Sequence, residues 1–184
     1  MRKVVLYELL SLDGVAEEPG DWMRDSDRPI FDNLARIIER QDDVLLGRGT
    51  FDYWAGYWPT SDIEPFATFI NTTPKHVFSS HELTQQWANT VVVDRPAEEY
   101  VAELKQADGG DIGIHGSISL AQSLLAAGLV DELRLVVAAA IAGSGRRLFD
   151  AVGQHGGLEL AAADQTPKGT LLLTYNSGDY DSGD

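Results

Sequence analysis

At 184 residues and 20.1 kDa the chain is long enough for one sizeable core and too short for two ordinary domains of roughly 100–200 residues each. Its 43% apolar and 23% charged residues match globular rather than disordered chains, and 29 acidic against 14 basic side chains give a net charge of −15, whose field repels nucleic acid and anionic membrane. The absence of cysteine excludes disulfides, Cys-ligated zinc, iron–sulfur clusters and thiol nucleophiles.

No segment approaches the roughly 18 apolar residues of a membrane span, and the start, Met1 to Tyr7, lacks the apolar run of a secretory leader. The expectation is a cytoplasmic protein with a small-molecule substrate and neither a nucleic-acid nor a membrane partner. His76, His81, His115 and His155 are dispersed without metal-ligand spacing, so no metal is expected.

In chain order, residues 4–10 read as a buried strand. Ser11-Leu12-Asp13-Gly14 and the acidic stretch up to Pro19-Gly20 then read as a long loop, and loops of that length are uncommon without function. From Pro29 to about Gln41, Ile30, Leu34, Ile37 and Ile38 recur at helical spacing. A second strand is expected over 43–47, followed directly by a helix over 48–54 and a short helix over 63–69.

Strands over 75–79 and 90–94 follow, then a helix over 96–106 that ends at Asp108-Gly109-Gly110. A strand over 112–116 runs into a helix capped by Ser117 and closed at Gly128, and another strand spans 133–138. Residues 158–163 and 170–175 pair across Pro167-Lys168-Gly169. The alternation predicts a three-layer α/β sandwich whose central sheet is mostly parallel and ends in an antiparallel hairpin. One domain over 1–177 and an acidic, disordered tail over 178–184 are expected.

Three turns carry the informative chemistry: Gly47-Arg48-Gly49-Thr50, Ser79-Ser80-His81 and His115-Gly116-Ser117. Each is read as a strand leading into a helix, so that backbone N–H groups and the positive helix end point to one sheet edge. Any one of them is explained by helix capping alone. Three after successive strands suggest a ligand with several phosphates, economically a dinucleotide. The Gly-x-Gly-x-x-Gly fingerprint with an acidic residue ~20 positions later is absent, which disfavours an ordinary Rossmann domain.

With these motifs the chain resembles the dihydrofolate reductase-like superfamily, and within it the C-terminal reductase domain of the bifunctional riboflavin-biosynthesis deaminase-reductase. The resemblance rests on Ser11-Leu12-Asp13-Gly14, the run from Leu45 through Gly47-Arg48-Gly49-Thr50 to Phe51, Val77-Phe78-Ser79-Ser80, and the run from Gly116-Ser117 through Gly128-Leu129-Val130-Asp131-Glu132-Leu133 to Phe149. It implies an NADPH-dependent reductase acting on a heterocyclic or imine-like substrate. The adenosine 2′-phosphate would lie near Arg48, Ser79 and Ser80, and the pyrophosphate between the Gly47–Thr50 turn and the His115-Gly116-Ser117 turn.

The resemblance also aligns His115-Gly116 with a Gly-Gly peptide that is cis in dihydrofolate reductases, so a cis or strained peptide is expected here. Asp32 stands near the position of the acid that binds the pterin ring, making it either a catalytic candidate or a solvated helix charge. Asp13, Gly14 and Trp22 are candidates for the substrate pocket, with a common turn and a loop anchor as the alternatives. Tyr53, Trp54, Tyr57 and Trp58 stack on a ring or pack together, and a homodimer is expected through 51–58 and 133–138. Pterin reduction and non-catalytic nucleotide binding are the competing functions.

Overall fold

The structure is a computed structural model that describes residues 1–25, 27–150, 152–153 and 157–178. Of the expected tail over 178–184, Gly178 is described and donates to the Gly157 carbonyl at 3.2 Å, whereas 179–184 and His155 lie outside the described residues. The strands are β1 (Val4–Leu10), β2 (Gln41–Gly47), β3 (Lys75–Phe78), β4 (Thr90–Val93), β5 (Asp111–His115), β6 (Glu132–Val137), β7 (Leu158–Gln165) and β8 (Leu171–Ser177). They form one sheet in the order β4-β3-β2-β5-β1-β6-β8-β7, with β4 through β6 parallel and the β7–β8 hairpin antiparallel.

The helices are α1 (Pro19–Trp22), α2 (Arg28–Ile38), α3 (Arg48–Trp54), α4 (Phe66–Thr72), α5 (Ala97–Leu104) and α6 (Ile118–Ala126). Strand β1 is apolar on both faces because helices cover both. Val4, Leu6 and Leu10 join a core with α5 and α6, while Val5 and Tyr7 join a second core with α2, α3 and α4. The stripe predicted on α2 is the one that buries: Ile30, Leu34, Ile37 and Ile38. Among the described residues no helix is long and apolar enough to cross a membrane.

Three boundaries differ from the sequence reading. Gln41 opens β2 instead of ending α2, because its side chain is drawn inward to His115. Helix α4 starts at Phe66, three residues late, where Phe66, Ala67 and Ile70 turn to the core. No helix follows β3: after Ser79-Ser80-His81 the chain runs through turns to β4, so that edge lacks a helix dipole.

Candidate functional site

Strands β2 and β5 are neighbours, so the turns that follow them meet. The Gly47 N–H donates to the Ser117 hydroxyl at 3.0 Å, and the Thr50 hydroxyl donates to the Gly116 carbonyl at 3.3 Å. Two bonds thereby join the starts of α3 and α6 into one edge. Ser117 does not cap its own helix as predicted: its oxygen is occupied by Gly47, leaving first-turn amides of α6 without intrahelical partners. Gly116 is exposed with φ +67, and a Cβ there would stand 3.0 Å from Trp54 Cζ2.

The His115–Gly116 peptide is trans; among the described residues the cis bond is at Glu64–Pro65. The expected cis geometry gives way because Gly116 makes the turn through its positive φ, while the His115 side chain leaves the edge altogether. Its Nε2 lies 2.8 Å from Gln41 Oε1, and its ring packs against Tyr7, Phe66 and Phe69. Burial holds its pKa down to about 3, so the imidazole is neutral. Only the backbone of His115 reaches the edge where the two turns meet.

Gly47 pairs with Phe78 in the β2–β3 register, which sets Arg48 level with Ser79. The Arg48 Nε lies 3.3 Å from the Asp52 carboxylate, and its side chain is 33% exposed. The Ser79 hydroxyl donates to the His81 carbonyl at 2.7 Å and accepts from the His81 N–H at 3.2 Å. Ser80 is exposed, its hydroxyl 3.0 Å from His81 Nδ1. A depression of about 850 Å³ opens beside them, lined by Ser79, Ser80, His81 and Trp87.

Asp13, expected beside the substrate, is committed to the loop. It accepts from the Ser11 hydroxyl at 2.7 Å and from the Ala142 and Gly143 amides at 2.9 Å each. These bonds, Ser11 foremost, hold its carboxyl down at about 2. Gly14 turns at φ +82, with its carbonyl accepting from Leu148 N–H at 3.3 Å. The motif therefore clasps the β1 exit to the 139–148 segment, because its acceptors meet two amides that no strand uses.

Trp22 is buried and donates from Nε1 to the Glu17 carbonyl at 2.9 Å, which anchors the loop, while it also lines a depression of about 570 Å³ with Glu17, Arg24 and Ile141. Asp32 does not turn inward: its carboxylate is 53% exposed and lies 3.4 Å from Arg28. It sits opposite the buried stripe of α2, which leaves no route to the cleft. Of the aromatic cluster, Trp54 and Trp58 pack edge-on against Phe66, and Tyr53 and Tyr57 are exposed.

Glu8 escaped the sequence reading because it lies inside an apolar run. It is 4% exposed, Oε2 is buried without a partner, and Oε1 meets only the Leu9 N–H at 3.3 Å. Burial pushes its carboxyl up to about 8. The signal was an acid at the center of an otherwise uncharged strand.

Arg48 and the α6 amides, beside the exposed Gly116, make a donor set that suits the phosphates of a dinucleotide. A side chain at Gly116 would run into Trp54, so the glycine keeps this exposed turn compact. Together these features define an α/β sandwich of dihydrofolate reductase-like architecture with the joined β2 and β5 turns at the carboxyl ends of the parallel strands.

The family described as RibD C-terminal domain matches residues 2–172, and the chain belongs to it. The uncharacterized protein YyaP of Bacillus subtilis (strain 168) is 29% identical over 185 residues, covering 95% of each chain. A Shewanella sp. PV-4 protein assigned provisionally to riboflavin biosynthesis superposes with a TM-score of 0.77 at 19% identity, over 96% of this chain and 99% of that one. Dihydrofolate reductase from Enterococcus faecalis, complexed with NADP(H), superposes with a TM-score of 0.60 at 17% identity, over 96% and 97%. RibD-like membership makes the protein an oxidoreductase by class.

Proposed function

We propose that the chain is an NADPH-dependent reductase of the riboflavin-biosynthesis reductase-like branch, comparable to 5-amino-6-(5-phosphoribosylamino)uracil reductase, acting on a small heterocyclic or imine-like substrate. The observation that carries this reading is the junction of the β2 and β5 turns through the Gly47–Ser117 and Thr50–Gly116 bonds. It sets two helix starts and a guanidinium on one edge.

When bound, a reduced nicotinamide supplies a hydride to an electrophilic carbon. The free amides of α6 would hold the pyrophosphate, with the Thr50 hydroxyl fixing the Gly116 turn that presents them. Arg48 and Ser80 would meet the 2′-phosphate beside Ser79, whose hydroxyl is engaged by His81, with Asp52 steadying the Arg48 guanidinium. The exposed, side-chain-free Gly116 would let the cofactor come close to the backbone, and the loop clasped by Asp13 would wall the site against water. The exposed Asp32 takes no part, which removes support from pterin reduction. Non-catalytic binding would show itself as cofactor affinity without turnover.

Titration with NADPH and NADH tests the reading directly. Saturable binding that favours NADPH, followed by oxidation in a screen of aminopyrimidine, imine and keto substrates, is expected. Equal or undetectable binding of both cofactors would sink it.

A further inference from the structure

Glu8 stands on β1 opposite Leu135 of β6, one residue past Tyr7, whose partner His115 is the last residue of β5. Val4, Leu6 and Leu10 share its parity and pack toward α5 and α6. The carboxyl therefore lies on the α6 side of the sheet, at the level where the chain leaves β5 through Gly116. Its Oε2 has no partner there and its Oε1 has only the adjacent Leu9 amide. A structural carboxylate in such a place would be paired, because an unpaired buried charge is strongly unfavourable.

We propose that Glu8 is the acid that supplies the proton when a substrate is reduced at the end of β1. The inference rests on the reductase reading above. Addition of hydride to the carbon of a C=N or C=O group moves the π pair onto nitrogen or oxygen, which takes the carboxyl proton as the Glu8 O–H bond breaks. The hydride and its electron pair come from the reduced nicotinamide, which is left oxidised. The Glu8 carboxylate then recovers a proton from water.

Of the titratable groups around it, the adjacent Tyr7 phenol is pushed up by burial and by Glu8 itself, Lys105 pairs with Asp131 at 2.7 Å, and the other charged groups except Glu99 are engaged elsewhere. Helix α6 carries none. On and beside α5, Glu98 accepts from Ser123 and Glu103 pairs with Arg95; Glu99 carries the remaining charge of that helix. On β6, Glu132 and Arg134 pair with each other at 2.5 Å, at the register positions opposite Val5 and Tyr7. In the loops, Arg146 bonds Ser119 at 2.6 Å, the Glu17 carboxylate accepts from the Arg146 amide at 3.1 Å, and Arg147 lies 3.9 Å from Asp13. None bonds Glu8, so burial governs its ionisation and keeps it protonated near neutral pH.

A neutral reduced nicotinamide beside Glu8 favours the acid, whereas the cationic oxidised ring favours the carboxylate, and linkage makes each effect reciprocal. Titrating NADPH and NADP+ from pH 6 to 10 should therefore give opposite trends. The ratio of the two dissociation constants, NADPH over NADP+, is expected to rise about tenfold along a one-proton curve, and Glu8→Gln should flatten it. The Glu8 carboxyl 13C resonance of the wild type should titrate at lower pH when NADP+ is added, which requires no variant to fold.

Binding of both cofactors with the same pH trend in wild type and Glu8→Gln, or a carboxyl titration unmoved by NADP+, overturns the role of Glu8 and leaves the reductase reading standing. Absence of binding by either cofactor overturns both.

Discussion

Arg48 is the residue on which cofactor choice turns. The register sets it level with Ser79, and Asp52 holds its Nε without using the rest of the guanidinium among the described residues. A charge-assisted bond to phosphate contributes roughly 1.5–3 kcal/mol, and the partial exposure of Arg48 places its share toward the lower end. Arg48→Ala should weaken NADPH binding about tenfold and leave NADH nearly unchanged, as read by fluorescence titration. Asp13 makes a different prediction, of stability. Its folded pKa of about 2 lies below its value in an unfolded chain, so its contribution is present above roughly pH 4 and is lost as pH falls through about 2. Asp13→Asn should melt below the wild type at pH 7, with the gap closing as melting is repeated down to pH 2.

Among the elements, the β5–α6 turn is where packing and function coincide. Its glycine has φ +67, a region that costs a residue with a side chain roughly 1–2 kcal/mol, and Trp54 stands against the missing Cβ. Gly116→Ala should lower stability in denaturant titration by about that amount and reduce NADPH affinity together with it. Ser117→Ala acts through a neighbouring element: it strands the Gly47 N–H at the end of β2, a loss of about 1–3 kcal/mol where the group is cut off from water. The sequence marked Ser117 as a cap because serine at a helix start usually is one. Tertiary contact between two turns separated by 70 positions redirected its hydroxyl.

For the whole molecule, the segments 51–58 and 133–138, expected to carry a dimer contact, differ in what they leave at the surface. Phe51 on α3 and Leu133 and Val136 on β6 are completely buried in the two cores, and of 51–58 Tyr53 and Tyr57 are the large apolar side chains left exposed. The homodimer remains a proposal, now at the sheet's end. Every residue of β7 is exposed, with Leu158 and Leu160 and a run of alanines on a sheet edge that is unpaired among the described residues, a feature that proteins in water ordinarily protect. A second copy pairing there would form a symmetric, self-complementary contact. Sedimentation should give twice the 20.1 kDa chain mass at micromolar concentration, and Leu160→Lys should return it to a single chain.

Local chemistry made most of the architecture legible: the two-sided apolar run of β1, the α2 stripe from Ile30 to Ile38, and the turn around Pro167 and Gly169 all depend on neighbours in the chain. The Gly47 and Gly116 turns were legible for the same reason, because small residues at a strand's end are a local requirement. The partners of polar side chains were not. Asp13 found two amides across the loop, His115 found Gln41, and Asp32 found solvent, since a side chain's direction depends on which distant element arrives beside it. Glu8 belongs to the same class: its letter stood in the sequence, but only the layers closing over both faces of β1 made it a buried acid with an oxygen left unpaired.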